Sequence, residues 1–209
     1  AMLWRTSPAA TELELLTLDW LRQMLGLPSD FFGVIADTAS SNTLYALAAA
    51  REMHPELRIR EHGMVARTDL PPIFIYCSEE AHSSVDKAVM TLGFGLNALK
   101  RIATDGRLRM DAKELAAVVE RDRKAGALPL AVVATVGTTS TTAIDPVREI
   151  AEICARHKMW LHVDAAYGGG FAILPEYQWL TEGWTDASAS GTAIANAPAS
   201  PAAAIAQVS

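Results

Sequence analysis

Short continuous apolar runs alternate along this chain with stretches whose apolar residues recur every three or four positions. The runs cover residues 73–77, 130–136 and 159–163. Their length and lack of polar alternation predict strands buried on both faces. Helical spacing first links Leu13, Leu16, Trp20, Leu21 and Met24, between a Ser7-Pro8 start signal and Gly26. A second helix is predicted over residues 40–52, with Leu44, Leu47 and Ala48 on its inner face. Val85, Ala88, Val89 and Leu92 mark a third, closed near Gly93. Asp111 and Glu114 form a capping-box-like start before the stripe Leu115, Val118 and Val119, and Gly126 stops that helix after Arg123 and Lys124. Asp145-Pro146 opens another, with Val147, Ile150, Ala151 and Cys154 on one side and Arg156, His157 and Lys158 at its end. Strands separated by helices predict an α/β fold: a mostly parallel sheet with helices on both faces.

The pattern changes near residue 185. From there to residue 209 the chain is dominated by Ala, Ser, Pro, Gly and Thr, with no Lys, Arg or aromatic residue. Such a segment cannot bury a useful apolar face, and disorder is its expected state. The expected organisation is one domain over residues 1–184 and a low-complexity tail over 185–209, with no internal repeat.

Composition narrows the function classes. A net charge of -6 over 209 residues, with no basic run, argues against nucleic acid or an anionic membrane as partner. Cys77 and Cys154 fit no zinc or CxxC spacing, which suits two ordinary thiols in a reduced, cytoplasmic protein. No apolar run reaches membrane-spanning length and no signal peptide is visible. The opening Ala1-Met2-Leu3-Trp4-Arg5 reads as the interior of a longer protein.

In a parallel sheet, ligands sit outside the carboxyl ends of the strands. Asp164 falls at such an end and is followed by Ala165, Ala166, Tyr167, Gly168 and Gly169. A carboxylate there can keep the ring nitrogen of pyridoxal phosphate protonated, so that the ring accepts electrons. It can equally open an ordinary strand-to-loop turn. Thr38, Ala39 and Ser40 precede a helix, where free N–H groups and hydroxyls can hold a phosphate or simply cap. His82 follows a buried strand and could lie flat on a cofactor ring, or cap the next helix. Thr138 and Thr139 bring hydroxyls to a third strand end.

Four segments together resemble the group II pyridoxal phosphate-dependent amino-acid decarboxylases, the aromatic-L-amino-acid decarboxylase type. They are Thr6-Ser7-Pro8-Ala9-Ala10-Thr11-Glu12-Leu13-Glu14, Glu80-Ala81-His82-Ser83-Ser84-Val85, Val133-Ala134-Thr135-Val136-Gly137-Thr138-Thr139, and His162-Val163-Asp164-Ala165-Ala166-Tyr167-Gly168-Gly169. The resemblance implies an incomplete large domain of a fold type I pyridoxal phosphate enzyme, normally a homodimer. It implies that His82 stacks on the pyridine ring and Asp164 pairs with its nitrogen. Ala166 would pack beneath the ring, Thr139 would stand near the phenolic oxygen, and Thr38, Ala39 and Ser40 would form the phosphate turn. His82 and Asp164 are then the catalytic candidates. Met2 and Trp4 fall in the segment that reaches the neighbouring subunit's pocket, or pack in the core.

The chain departs from the family pattern twice. Asp37 stands where the family commonly has glycine, which puts a carboxylate close to the phosphate. No lysine follows Lys158, although the family's cofactor-linking lysine lies downstream of the Asp164 motif. His157-Lys158 imitates the expected dipeptide but precedes the Asp164 strand. A truncated or frame-shifted product fits both the missing lysine and the tail, and a natural linker is the alternative. The implied parent reaction is decarboxylation of an L-amino acid, aromatic before glutamate, with the fragment itself a poor catalyst and poorly soluble alone. Three other readings stay open: another fold type I enzyme such as an aminotransferase or desulfurase, a metal triad of His82, His162 and Asp164, and a non-catalytic interaction fragment.

Overall fold

Four apolar segments become strands, and the helices between them set the strand order. A computed structural model describes residues 4–31 and 33–185. The chain runs α1 (Pro8–Met24), α2 (Ala39–Glu52), a four-residue α3 (Ile59–His62), β1 (Ile73–Ser78), α4 (Ser84–Thr91) and β2 (Leu99–Ile102). It continues through α5 (Ala112–Lys124), β3 (Leu128–Thr135), α6 (Val147–His157) and β4 (Trp160–Asp164), then two 3-10 segments, Gly169–Ile173 and Pro175–Thr181. The sheet order is β2-β1-β3-β4 and every pairing is parallel. Parallel neighbours need a long crossover, and α4, α5 and α6 supply the three here.

Each face of the sheet carries its own core. On one, Leu47 of α2 and Val85 and Val89 of α4 pack over Ile75, Cys77 and Val133. On the other, Leu115 and Val119 of α5 and Ile150 and Cys154 of α6 pack over Tyr76, Val132 and Leu161. From Ala131 onward alternate residues feed opposite cores, Ala131 and Val133 one and Val132, Ala134 and Val136 the other, which is why this stretch reads as an unbroken apolar run. Burying one such Val, Leu or Ile contributes roughly 1.5–3 kcal/mol. Tyr76 also donates its hydroxyl to Asp122 of α5 at 3.0 Å, and burial with that carboxylate nearby raises the phenol's pKa.

Local signals explain both ends of α5. Asp111 Oδ1 accepts the amides of Lys113 and Glu114 at 2.8 and 3.1 Å, so α5 starts where its cap predicts. Gly126, at φ +84°, ends it after a last turn rich in Arg and Lys.

Three expectations need correcting. The inner face of α2 is rotated: Asn42, Thr43, Ala46, Leu47 and Ala50 are buried, while Leu44 and Ala48 are only half-buried. The stripe of α1 forms a helix but is mostly uncovered among the described residues: Leu13, Leu16, Trp20 and Met24 are exposed, Leu21 is half-buried, and Leu18, outside the stripe, is the buried residue. Strand β2 was not expected, because Leu99-Lys100-Arg101-Ile102 carries two charges. As an edge strand it can keep them: Lys100 Nζ lies 4.0 Å from the Phe74 ring centre, and Arg101 binds both oxygens of Asp86 at 2.8 Å.

Cys77 and Cys154 are free and buried, and burial pushes the Cys77 thiol up to about 12. Among the described residues no helix is long and apolar enough to cross a membrane. The expected tail, apart from Thr185, and Met2 lie outside the described residues. Trp4 is exposed, and its indole N–H donates to Glu12 Oε1 at 3.1 Å.

Candidate active site at the carboxyl edge of the sheet

The apolar run of β4 carries Asp164 to the carboxyl edge of the sheet, where it pairs in register with Thr135 of β3. Asp164 is 6% exposed. Its Oδ1 accepts the amide of Ala166 at 3.2 Å, while Oδ2 receives no hydrogen bond from the described residues. A nearly buried carboxylate with one uncommitted oxygen is suited to a positively charged N–H donor. Ala166 and Tyr167 are exposed beyond it.

The loop after β4 lies directly on the loop after β3. Gly168 donates its amide to the Val136 carbonyl at 3.0 Å, and Val136 donates to the Asp164 carbonyl at 2.8 Å. A Cβ at Gly168 would fall 2.5 Å from the Val136 oxygen, and one at Gly137 (φ +88°) would fall 2.9 Å from the Tyr167 ring. Gly168 is therefore required by backbone-to-backbone approach, and Gly137 by its left-handed φ beside the Tyr167 ring.

The two neighbouring threonines separate into different roles. Thr138 is buried; its Oγ1 lies 2.6 Å from Thr141 Oγ1 and accepts the Ala143 amide at 3.0 Å, which folds the turn. Thr139 is exposed at the edge. His82 is also exposed, and its Nδ1 accepts the Ser84 amide at 3.2 Å. That bond places the ring proton on Nε2 and tethers one edge of the imidazole, leaving the ring face open. His82 thus caps α4 and still presents a flat surface.

Thr38 caps α2: its Oγ1 accepts the Ser41 amide at 3.1 Å. Ala39 and Ser40 open the helix, where the first amides have no partner within it. A helix start of this kind attracts anions. Asp37 already supplies one. The Ser41 hydroxyl, then the amides of Asp37 and Thr38, hold its carboxyl below the usual carboxylate range. Helix α2 packs against β3, β4 and α4, and Thr43 in its first turns lies 3.3 Å from His162, two residues before Asp164, which brings the start of α2 towards the Asp164 edge.

Lys158 sits at the opposite edge. It caps α6 two residues before β4 begins, and the whole strand separates it from Asp164. The metal triad is not assembled: among the described residues no group of His, Cys, Asp or Glu could hold a metal ion. His162 instead approaches Thr43 of α2.

Sequence reasoning missed Asp145. Read as a helix opener, it is 2% exposed, and its two oxygens accept the amides of Met110 at 2.7 Å and Thr135 at 2.8 Å. Burial raises its pKa to about 6 despite these two bonds. It thereby ties the end of β3, beside Asp164, to the segment that starts α5. No sequence signal separates this Asp-Pro from an ordinary helix start.

The chain is similar to known proteins over most of its length. The chain is 42% identical to pig aromatic-L-amino-acid decarboxylase over 189 residues, covering 86% of this chain and 38% of the pig protein. It is 41% identical to Drosophila melanogaster histidine decarboxylase over 195 residues, or 85% of this chain and 22% of that protein. The structure of Catharanthus roseus tryptophan decarboxylase in complex with L-tryptophan superposes with a TM-score of 0.80 at 37% identity, over 88% of this chain and 39% of that one. The chain thus spans well under half the length of these relatives. The model of the pyridoxal-dependent decarboxylase conserved domain matches residues 1–192, and the chain belongs to that family.

Proposed function

We propose that this chain forms the cofactor-holding part of an L-amino-acid decarboxylase that takes an aromatic substrate, with pyridoxal 5'-phosphate as cofactor. The observation that carries this reading is the buried carboxylate of Asp164, with an open oxygen, at the same sheet edge as an exposed imidazole and a helix start. When bound, pyridoxal phosphate supplies an electron sink for the carbanion left as CO2 departs. Asp164 would hold the proton on the pyridine nitrogen, since an adjacent carboxylate favours the charged ring. His82 would cover one ring face and Ala166 would leave room at the other. The start of α2 at Thr38, Ala39 and Ser40 would receive the phosphate, with the exposed Thr139 hydroxyl beside the phenolic oxygen. On this reading residues 1–184 are the cofactor-binding part and 185–209 a tail. The exposed apolar residues of α1 support a homodimer, and the two free thiols support a cytoplasmic setting.

Titration of the purified chain with pyridoxal phosphate, read by absorbance, tests the proposal. Reversible binding is expected, weakened roughly ten- to a hundredfold in Asp164→Ala, the loss of one charge-assisted hydrogen bond. Borohydride should fix no adduct on Lys158. Equal affinity in Asp164→Ala would refute the assignment of Asp164, and a reduced adduct on Lys158 would refute its exclusion.

Asp37 gives a second expected result of opposite sign. Its carboxylate shares the start of α2 with the incoming phosphate, so Asp37→Gly should tighten binding roughly three- to tenfold, as expected for removing a like charge at an exposed site. The gain should shrink as salt is added. An unchanged dissociation constant at low salt would remove Asp37 from the phosphate site.

A further inference from the structure

One polar contact crosses the core between the two elements that the proposed site depends on. His162 is 1% exposed in the middle of β4, and Thr43 is fully buried one turn into α2. His162 Nε2 lies 3.3 Å from Thr43 Oγ1, although the residues are 119 positions apart in sequence. The Thr43 hydroxyl donates onward to the Ala39 carbonyl at 3.2 Å. With its single hydrogen committed there, the hydroxyl accepts from His162 Nε2–H. A continuous relay therefore runs from the imidazole through Thr43 to the first residue of α2.

Strand geometry puts the far end of that relay in line with Asp164. Side chains two apart on a strand share a face, so His162 and Asp164 both face the side of the sheet covered by α2. Their partners on β3 are Val133 and Thr135, in unbroken register. Apolar side chains at 43 and 162 would fill the same space without fixing a direction. Buried polar groups, by contrast, are costly unless bonded, and so demand one relative placement.

We propose that His162 and Thr43 are positioning residues that hold the first turn of α2 in fixed register with Asp164, and so set the distance between the phosphate and ring-nitrogen ends of the cofactor site. This rests on the cofactor reading above but assigns residues outside it. Neither side chain touches the cofactor; both act through the Ala39 backbone.

The test compares two probes, pyridoxal phosphate and pyridoxal, which lacks the phosphate, on the full chain. Thr43→Val keeps the shape and removes the hydroxyl. It is expected to weaken pyridoxal phosphate about tenfold and to leave pyridoxal unchanged. Thr43→Ser should restore affinity to within about twofold. His162→Phe should reproduce the loss, and the double variant should be no worse than either single one, as for two members of one unit. Equal weakening of both probes, or of neither, while the wild type binds, would overturn the inference alone. Failure of the wild type to bind pyridoxal phosphate would overturn the cofactor reading, and this inference with it.

Discussion

Asp145→Ala is expected to destabilise the chain by about 2–4 kcal/mol near pH 5, with the deficit shrinking as pH rises towards 8. The first part follows from the two amides it leaves behind. Met110 N–H and Thr135 N–H are buried against this carboxylate, and a buried donor left without an acceptor costs roughly 1–3 kcal/mol. The pH dependence follows from the raised pKa. An ordinary value near 3.8 moves to about 6 in the folded chain because burial disfavours the charge. The folded state therefore holds a proton that the unfolded chain has released between those values. The contribution of Asp145 is complete below pH 3.8 and is lost as pH rises through 6, a swing of about 3 kcal/mol of which roughly half falls between pH 5 and pH 8. Denaturant unfolding at pH 5 and pH 8 reads both effects. Asp145→Asn should lie closer to wild type, because it keeps one acceptor, and should show the same narrowing. A deficit equal at both pH values would mean that the carboxylate is ionised throughout.

Gly168→Ala is expected to cost about 2–4 kcal/mol. The backbone angle at Gly168 is ordinary, with φ -81°, so conformational strain is not the cause. The obstacle is the Val136 carbonyl, whose oxygen would lie 2.5 Å from the new methyl group and whose carbon would lie 3.0 Å away. A flexible side chain could yield to such a contact, but a strand-end carbonyl bonded to its neighbour cannot. Overpacking of this kind costs roughly 1–3 kcal/mol, and displacing the loop also breaks the Gly168–Val136 hydrogen bond, worth about 1 kcal/mol. Gly170→Ala is the matched control, since a methyl group there would meet nothing within 4 Å, and its change should stay within about 0.5 kcal/mol. Thermal or denaturant unfolding of the pair decides the matter: similar losses for both would mean that the close approach is not the source.

Sequence pattern was enough for the layers and for much of the edge. Continuous apolar runs identified β1, β3 and β4 because each is buried on both faces, and the caps at Ser7, Asp111 and Gly126 placed helix boundaries within a residue or two. Strand ends then pointed to Asp164, His82 and Thr139 without knowledge of the strand order. What escaped were features decided by contacts far apart in sequence. Strand β2 has a charged sequence that only an edge position tolerates. The buried face of α2 carries Asn42 and Thr43 beside Leu47, so hydrophobicity alone found Leu47 but rotated the rest of the face. Asp145 has the local signature of a helix start, and its partners at 110 and 135 are visible only once β3 and α5 are packed.

The relay from His162 to Thr43 also bears on how quickly the site can come into being. Its two ends are separated by 119 positions, and every neighbouring pair of strands is joined through a crossover instead of a hairpin. Loop-closure entropy grows only logarithmically, by about 0.6 kcal/mol for each doubling of the loop, so the long span weighs little on equilibrium. It weighs on the rate, because distant partners must meet before any contact rewards the search. A site joined between α2 and the last strand, β4, is therefore completed only once the strands between them have packed.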